Sequence, residues 1–260
     1  MDVSSAYLDS PTPIAFAHRG GSLVESNVGI ENSIEAFTHA YELGYRYLET
    51  DVHVSADGRV YAFHDDTLER MTNNPAAIAS LTADLVDGEL LDGRVAIPTL
   101  EALLTVLPEA RLNIDVKSDA AVEETCAVIE DYDAIDRVLL ASFDHDRLRR
   151  IRRRLPAIAT SASSREAALV KFLPAKVLKL LRVPGAVCLQ VPESRHRIRV
   201  VTRRFVRRAH ALGLQVHVWT VDDANSMNRL LDLGVDGIIT DRTDILKDVL
   251  VARGAWRGPE

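Results

Sequence analysis

Cysteine is nearly missing from this chain: Cys126 and Cys188 are the only two in 260 residues. One falls in a helix-like segment and the other in a strand-like one, a pattern of packed thiols rather than a disulfide framework. Long apolar runs are missing too, which excludes a membrane-spanning helix as a reading of any segment. The opening "MDVSSAYLDSPTPIAFAHRGGS" lacks a basic stretch followed by an extended apolar one, so it does not read as a secretory leader. No segment resembles the glycine-rich turn of a dinucleotide-binding sheet. The expectation is a soluble, cytoplasmic protein.

What is present is enough to build a large core, with 47% hydrophobic and 27% charged residues. That length suits one large α/β domain or two small ones. The net charge of −7 is unevenly spread. Residues 165–208 carry twelve Lys or Arg against two acids, Glu166 and Glu193, leaving nineteen bases and thirty-six acids elsewhere. Such a block reads first as a solvated flank, with attraction to anionic lipid or nucleic acid as the alternative. No nucleic-acid partner is expected.

Short apolar strands alternate with helix-period segments throughout. Strands are expected at 14–18, 45–52, 111–117, 137–143, 157–161, 186–191, 215–221 and 237–241. Between them Ser33 can cap a helix that ends at Gly44, Pro98-Thr99 opens "LEALLTVL", and Asp222 opens a helix ending at Gly234. Eight such units point to a (β/α)8 TIM barrel over residues 14–253, with an extension at 1–13 and a tail at 254–260. The second unit breaks the rhythm. "SADGRVYAFH" reads as a β-ribbon turning at Asp57-Gly58 in a type I′ hairpin, and an irregular, polar insertion follows from Asp65 to Val95.

Strand residues two apart face the same way, about 6–7 Å apart. Glu49 and Asp51 therefore share a side, as do Asn113, Asp115 and Lys117. Neighbouring strands would let Glu49, Asp51 and Asp115 converge at the carboxyl end of the barrel. Hard oxygen ligands suit Mg²⁺ or Ca²⁺. The alternative is that Lys117 and Arg46 pair with these acids and no metal binds. His18 and His64 end strand-like runs at the same rim, where imidazoles serve as general acid and base. Arg19 and Lys117 add cations suited to a phosphate. Trp219 is either core or a pocket wall, and His53 either approaches the metal or covers the ribbon. His217 shares its parity with Trp219, while His39, His145, His196 and His210 are expected at the surface.

The blocks "AHRGG", "IENSIEAF", "YLETDVHVSADGRVYAFHDDTLERMTN", "IPTLEALL", "LNIDVK", "HVWTVDD" and "LGVDGIITDRTDIL" stand in the order found in glycerophosphodiester phosphodiesterases, which the chain resembles over residues 14–246. The resemblance implies a TIM barrel that hydrolyses glycerophosphodiesters to glycerol 3-phosphate and an alcohol with a divalent cation. It implies that His18 and His64 are the acid–base pair, and that Glu49 and Asp51 bind metal. Arg19 and Lys117 would hold phosphate, Trp219 would lie beside the glycerol, and Glu31 and Asn32 would support the first loop. The family commonly has Glu where this chain has Asp115, one methylene shorter; Asp115 is still expected to be a ligand. Two rival readings are a lysophospholipase D-like enzyme and a barrel that binds phosphodiesters without turning them over. The segment 168–185, with Lys176, Lys179 and Arg182 beside apolar residues, is read as the fifth outer helix split by a proline, or as a basic amphipathic lid on anionic membrane.

Overall fold

The computed structural model describes residues 6–174, 177–178, 186–195 and 198–258. Eight parallel strands close into a barrel: Ile14–His18, Tyr47–Val54, Arg111–Val116, Val138–Ala141, Ala159–Ser161, Ala186–Pro192, Gln215–Trp219 and Gly237–Thr240. Closure comes from the first strand, which pairs with the last (Ile14 with Gly237) and with the second (Phe16 with Tyr47). All eight expected strands are therefore present, with ends shifted by up to two residues.

Helices return the chain between strands, at Ile34–Glu42, Leu100–Val106, Ala121–Asp131, His145–Arg154, Ser164–Phe172, Arg203–His210, Ala224–Leu233 and Thr243–Ala252. Ser33 caps the first, its hydroxyl accepting from the Ala36 N–H at 3.0 Å, and Thr99 caps the second in the same way. The seventh departs from expectation by one residue: Asp223 is the cap, accepting from Ser226. Asp222 instead accepts from the Thr240 hydroxyl and the Asp241 N–H, tying two strand ends together. Among the described residues, no helix is long and apolar enough to cross a membrane. Both cysteines are free and buried.

The ribbon forms as Val60–Ala62 pairs antiparallel with the end of the second strand. Its turn is not type I′, because only Gly58 has positive φ (95°) and Asp57 does not. Asp57 instead accepts from the Ser55 hydroxyl at 2.6 Å and the Ala83 N–H at 2.9 Å, bonds that hold it in place. The insertion is less irregular than its polarity implied. Short helices at Glu69–Thr72 and Ala83–Asp87 and a small hairpin enclose a local core of Leu68, Ile78, Val86 and Leu91 around Tyr61 and Phe63. Helices of four or five residues show no readable period. Lys176, Lys179, Arg182 and His196 lie outside the described residues.

Candidate active site

Parallel pairing sets the site. The register puts His18 beside Glu49 and Glu49 beside Asn113; one row higher, Asp51 stands beside Asp115. With a side-chain period of two, this brings every acid expected at the rim to one end of the barrel. His18, Arg19, Glu49, Asp51, His64, Asn113, Asp115, Lys117 and Trp219 all line a single cavity of about 720 Å³.

The first loop is held by unusual backbone. Arg19 has φ 51°, and Gly20 and Gly21 follow at 86° and 87°. A Cβ on Gly20 would stand 2.7 Å from Ala36, and one on Gly21 2.8 Å from Thr243, so the two glycines let the loop lie against two helices. The Arg19 N–H donates to the Glu49 carbonyl and the Asn32 N–H to the Arg19 carbonyl, both at 2.9 Å. Asn32 accepts from the buried Thr50 hydroxyl, and Glu31 accepts from the Arg19 guanidinium at 3.0 Å. The supporting pair thus touches the loop directly.

Four charges interlock behind it. Lys117 Nζ lies 2.7 Å from Asp51 and 2.8 Å from Asp115, and Arg19 Nε lies 3.2 Å from Asp51. Burial opposes the charge on Asp51, but Lys117 and Arg19 outweigh it and hold this carboxyl below the usual range. Glu49 has no such neighbour at bonding distance. Burial, then the Asp51 charge, pushes it up to about 8. Burial likewise raises Asp115, with Lys117 acting against it. Arg46 does not join the acids; it donates to the Tyr41 and Tyr45 carbonyls and lies over the Tyr41 ring.

His18 and His64 each have a carboxylate on Nδ1. His18 Nδ1 lies 2.7 Å from Asp241 Oδ1, which also accepts from the Ser22 hydroxyl at 2.7 Å. His64 Nδ1 lies 2.6 Å from Asp65, and Arg70 grips the other Asp65 oxygen at 2.6 Å. Arg70 also reaches Glu31 at 2.6 Å, so one guanidinium links the His64 and Arg19 arms. His18 is pulled down by burial, yet Glu49 and Asp241 together raise it. Burial works against Asp65 as well, but Arg70 and His64 bring it down to about 2.

The donor chemistry fits a hard divalent cation. Glu49 Oε2, Asp51 Oδ2 and Asp115 Oδ1 are buried carboxylate oxygens that accept no hydrogen bond. Asp51 Oδ2 already lies 3.2 Å from Arg19 Nε and Glu49 Oε2 3.6 Å from His18 Nε2, so Asp115 Oδ1 is the one with no basic group against it among the described residues. The three acids are not gathered into one ligand cluster, however, and no such group of three is found among the described residues. Lys117 lies between Asp51 and Asp115, while Glu49 faces His18 Nε2 at 3.6 Å.

The remaining residues divide cleanly. Trp219 is a wall of the cavity, meeting Phe143 edge-on at 5.6 Å. His53 is buried and bonded at 3.1 Å to the His64 carbonyl, so it fastens the ribbon. His217 is a core residue against Phe16 and Gln215, pushed down to about 3 by burial. His39, His145 and His210 bond to Asn27, Ser163 and Asp236 respectively, outside the cavity.

The model of the glycerophosphoryl diester phosphodiesterase family matches residues 18–245. The chain belongs to that family. It is 43% identical over 253 residues to "Probable glycerophosphodiester phosphodiesterase 2" of Mycobacterium tuberculosis, covering 94% of this chain and 93% of the relative. A glycerophosphodiester phosphodiesterase structure from Parabacteroides distasonis superposes with TM-score 0.76 at 26% identity, over 94% of this chain and 100% of that one. An Oleispira antarctica phosphodiesterase, solved with the product sn-glycerol 3-phosphate, has the same fold, with TM-score 0.77 at 22% identity over 92% and 97% of the two chains.

Asp241, Ser22, Asp65, Arg70 and Asn113 carry parts of the site that had no assigned role. For Asp241 a signal existed, since "IITD" puts an acid at the end of the last barrel strand, where such enzymes keep their chemistry.

Proposed function

We propose that this chain hydrolyses glycerophosphodiesters to sn-glycerol 3-phosphate and an alcohol, with His18 and His64 exchanging acid and base roles. The observation that carries this reading is the pair of His–Asp contacts opening into one cavity with Arg19 and Lys117. A carboxylate on Nδ1 fixes the tautomer, leaving each Nε2 to take or give a proton. In this reading one histidine removes the proton of the glycerol 2-hydroxyl. That oxygen bonds to phosphorus, the bond to the alcohol oxygen breaks, and the other histidine protonates the leaving alcohol. Water then opens the cyclic phosphate with the roles reversed. Arg19 and Lys117 hold the phosphate oxygens and offset charge that builds on them. Glu49, Asp51 and Asp115 would hold a divalent cation, Mg²⁺ or Ca²⁺, which when bound supplies further positive charge to the phosphate.

Release of glycerol 3-phosphate from glycerophosphocholine, with and without EDTA, tests the reading. Loss with EDTA and recovery with excess Mg²⁺ or Ca²⁺ is expected. Release untouched by EDTA removes the cation from the scheme. No release with any cation leaves a barrel that binds phosphodiesters without turning them over. His18→Ala and His64→Ala should each lower kcat by about 10²–10⁴-fold; near wild-type turnover in either would end the scheme.

A second reading, a lysophospholipid as substrate, is favoured by the far half of the cavity. Its lining from the fifth and sixth strands onward includes Ala162, Ala167, Val191 and Pro192 beside the polar Ser161, Gln190 and Lys171. A space of about 720 Å³ takes a drug-sized ligand, and a phosphoglycerol group occupies only part of it. A 1-acyl substrate keeps the free 2-hydroxyl that the scheme requires. Comparing kcat/KM for 1-acyl and deacylated glycerophosphocholine separates the two readings.

A further inference from the structure

The rim of the cavity is chemically lopsided. The side formed by the first three strands carries the acids and histidines; the opposite side carries Phe143, Phe172 and Ile198. These three are exposed by 57%, 68% and 56% respectively, an apolar group at a mouth rather than scattered surface residues. Arg195 lines the same rim, Arg165 adjoins the lining Ser164, and Arg199 adjoins Ile198.

The charge there has no partner at ion-pair distance, although Arg199 lies near enough to Glu193 to help Arg229 hold that carboxyl below its usual range. Among the described residues, Arg165, Arg195 and Arg199 are exposed and form no ion pair. The fourth helix differs: five of its six arginines, Arg147, Arg149, Arg150, Arg152 and Arg154, meet acids, and Arg153 does not. The two acids within residues 165–208 are already engaged, Glu166 by Arg152 and Glu193 by Arg229. A chain of net charge −7 thus keeps free positive charge beside exposed apolar side chains at the opening of its cavity.

We propose that this rim seats the barrel mouth on an anionic lipid bilayer. Phe143, Phe172 and Ile198 enter the headgroup layer, and Arg165, Arg195 and Arg199 meet lipid phosphates. Basic side chains near an anionic leaflet gain from its surface potential, and apolar tips gain by leaving water. A single-stranded nucleic acid would use the same cations but needs aromatic faces for its bases. Here Ile198 has none and Phe143 is engaged edge-on with Trp219, so Phe172 alone offers a free ring, too few to stack successive bases. The inference stands on the rim alone, whichever phosphodiester is the substrate.

Flotation of the full chain with vesicles tests it. Binding to vesicles of phosphatidylglycerol and phosphatidylcholine is expected, at least about tenfold weaker with pure phosphatidylcholine. It should also weaken in about 1 M NaCl, where charges are screened within roughly 3 Å. Phe172→Ser/Ile198→Ser and Arg165→Glu/Arg199→Glu should each lower the partition coefficient about tenfold while the thermal midpoint stays unchanged. The proposal is overturned if the wild type binds no anionic vesicle, or if both stable double variants bind as the wild type does. It is also overturned if single-stranded RNA binds as tightly as the vesicles and is lost in the same variants.

Discussion

At the residue scale, the side chains expected to do chemistry are held by others that do none. Asp65 touches His64 and is itself fixed by Arg70, which also fixes Glu31 behind Arg19. Asp65→Asn keeps the shape but turns a carboxylate acceptor into an amide, which no longer selects one imidazole tautomer. A fall in kcat of about 10²–10³-fold with KM within a few-fold is expected. Arg70→Met should cost about tenfold in kcat, acting through Asp65 and Glu31. If Arg70 works through Asp65, the two losses will not add in the double variant. Strict additivity in steady-state kinetics would refute that route. Asp241→Asn tests the matching contact at His18 and should resemble Asp65→Asn in kind.

At the element scale, strands and capped helices were legible because each declares itself locally, through apolar runs and hydroxyls or carboxylates at helix starts. Ser33 and Thr99 were found this way. The site was half legible for a related reason. Glu49, Asp51 and Asp115 sit on strands whose alternation fixes their direction. The partner of His18 lies 223 residues away, and no local pattern joins the two. The insertion hid its order because its core comes from single residues, Leu68, Ile78 and Leu91, on segments too short to show a period. One buried contact between elements yields a stability prediction. Glu166 closes a capping box with Ser163 at the start of Ser164–Phe172 and receives two bonds from Arg152 of the preceding helix, at 2.8 and 3.2 Å. Glu166→Ala leaves that guanidinium without its carboxylate, with only the Thr160 hydroxyl and Ser161 carbonyl to accept from it, and should cost about 3 kcal/mol in urea denaturation. Burial resists the Glu166 charge, but Arg152 and the Ser163 N–H prevail and depress its folded-state pKa. Its contribution is therefore present above the ordinary carboxylate pKa and fades as pH falls through the lower folded value. The gap between wild type and variant should narrow in acid; a constant gap would show that the charge is not involved.

At the scale of the whole molecule, the barrel has a chemical mouth and a packed floor, and the segment around Tyr7 belongs to the floor. Tyr7 is fully buried in a cluster with Phe16, Tyr47, Leu139, Cys188 and Ile239, contributed by strands around the barrel. Its ring meets Tyr47 edge-on at 5.3 Å, and its carbonyl accepts from the Tyr47 hydroxyl at 2.8 Å and from Arg111 at 2.6 Å. Tyr7 is thus a plug that fills the end of the barrel opposite the histidines. Tyr7→Ala removes a large aromatic side chain from a site whose walls are strands and cannot collapse far. The expected loss is about 3–5 kcal/mol. For a chain of this size that lowers the thermal midpoint by roughly 10 °C. The mouth is built from other residues, so kcat/KM measured well below the transition should stay within about twofold of wild type. Calorimetry beside steady-state kinetics decides it. An unchanged midpoint would mean that the plug contributes nothing to closure, and a loss of activity without loss of stability would mean that floor and mouth are coupled through the strands.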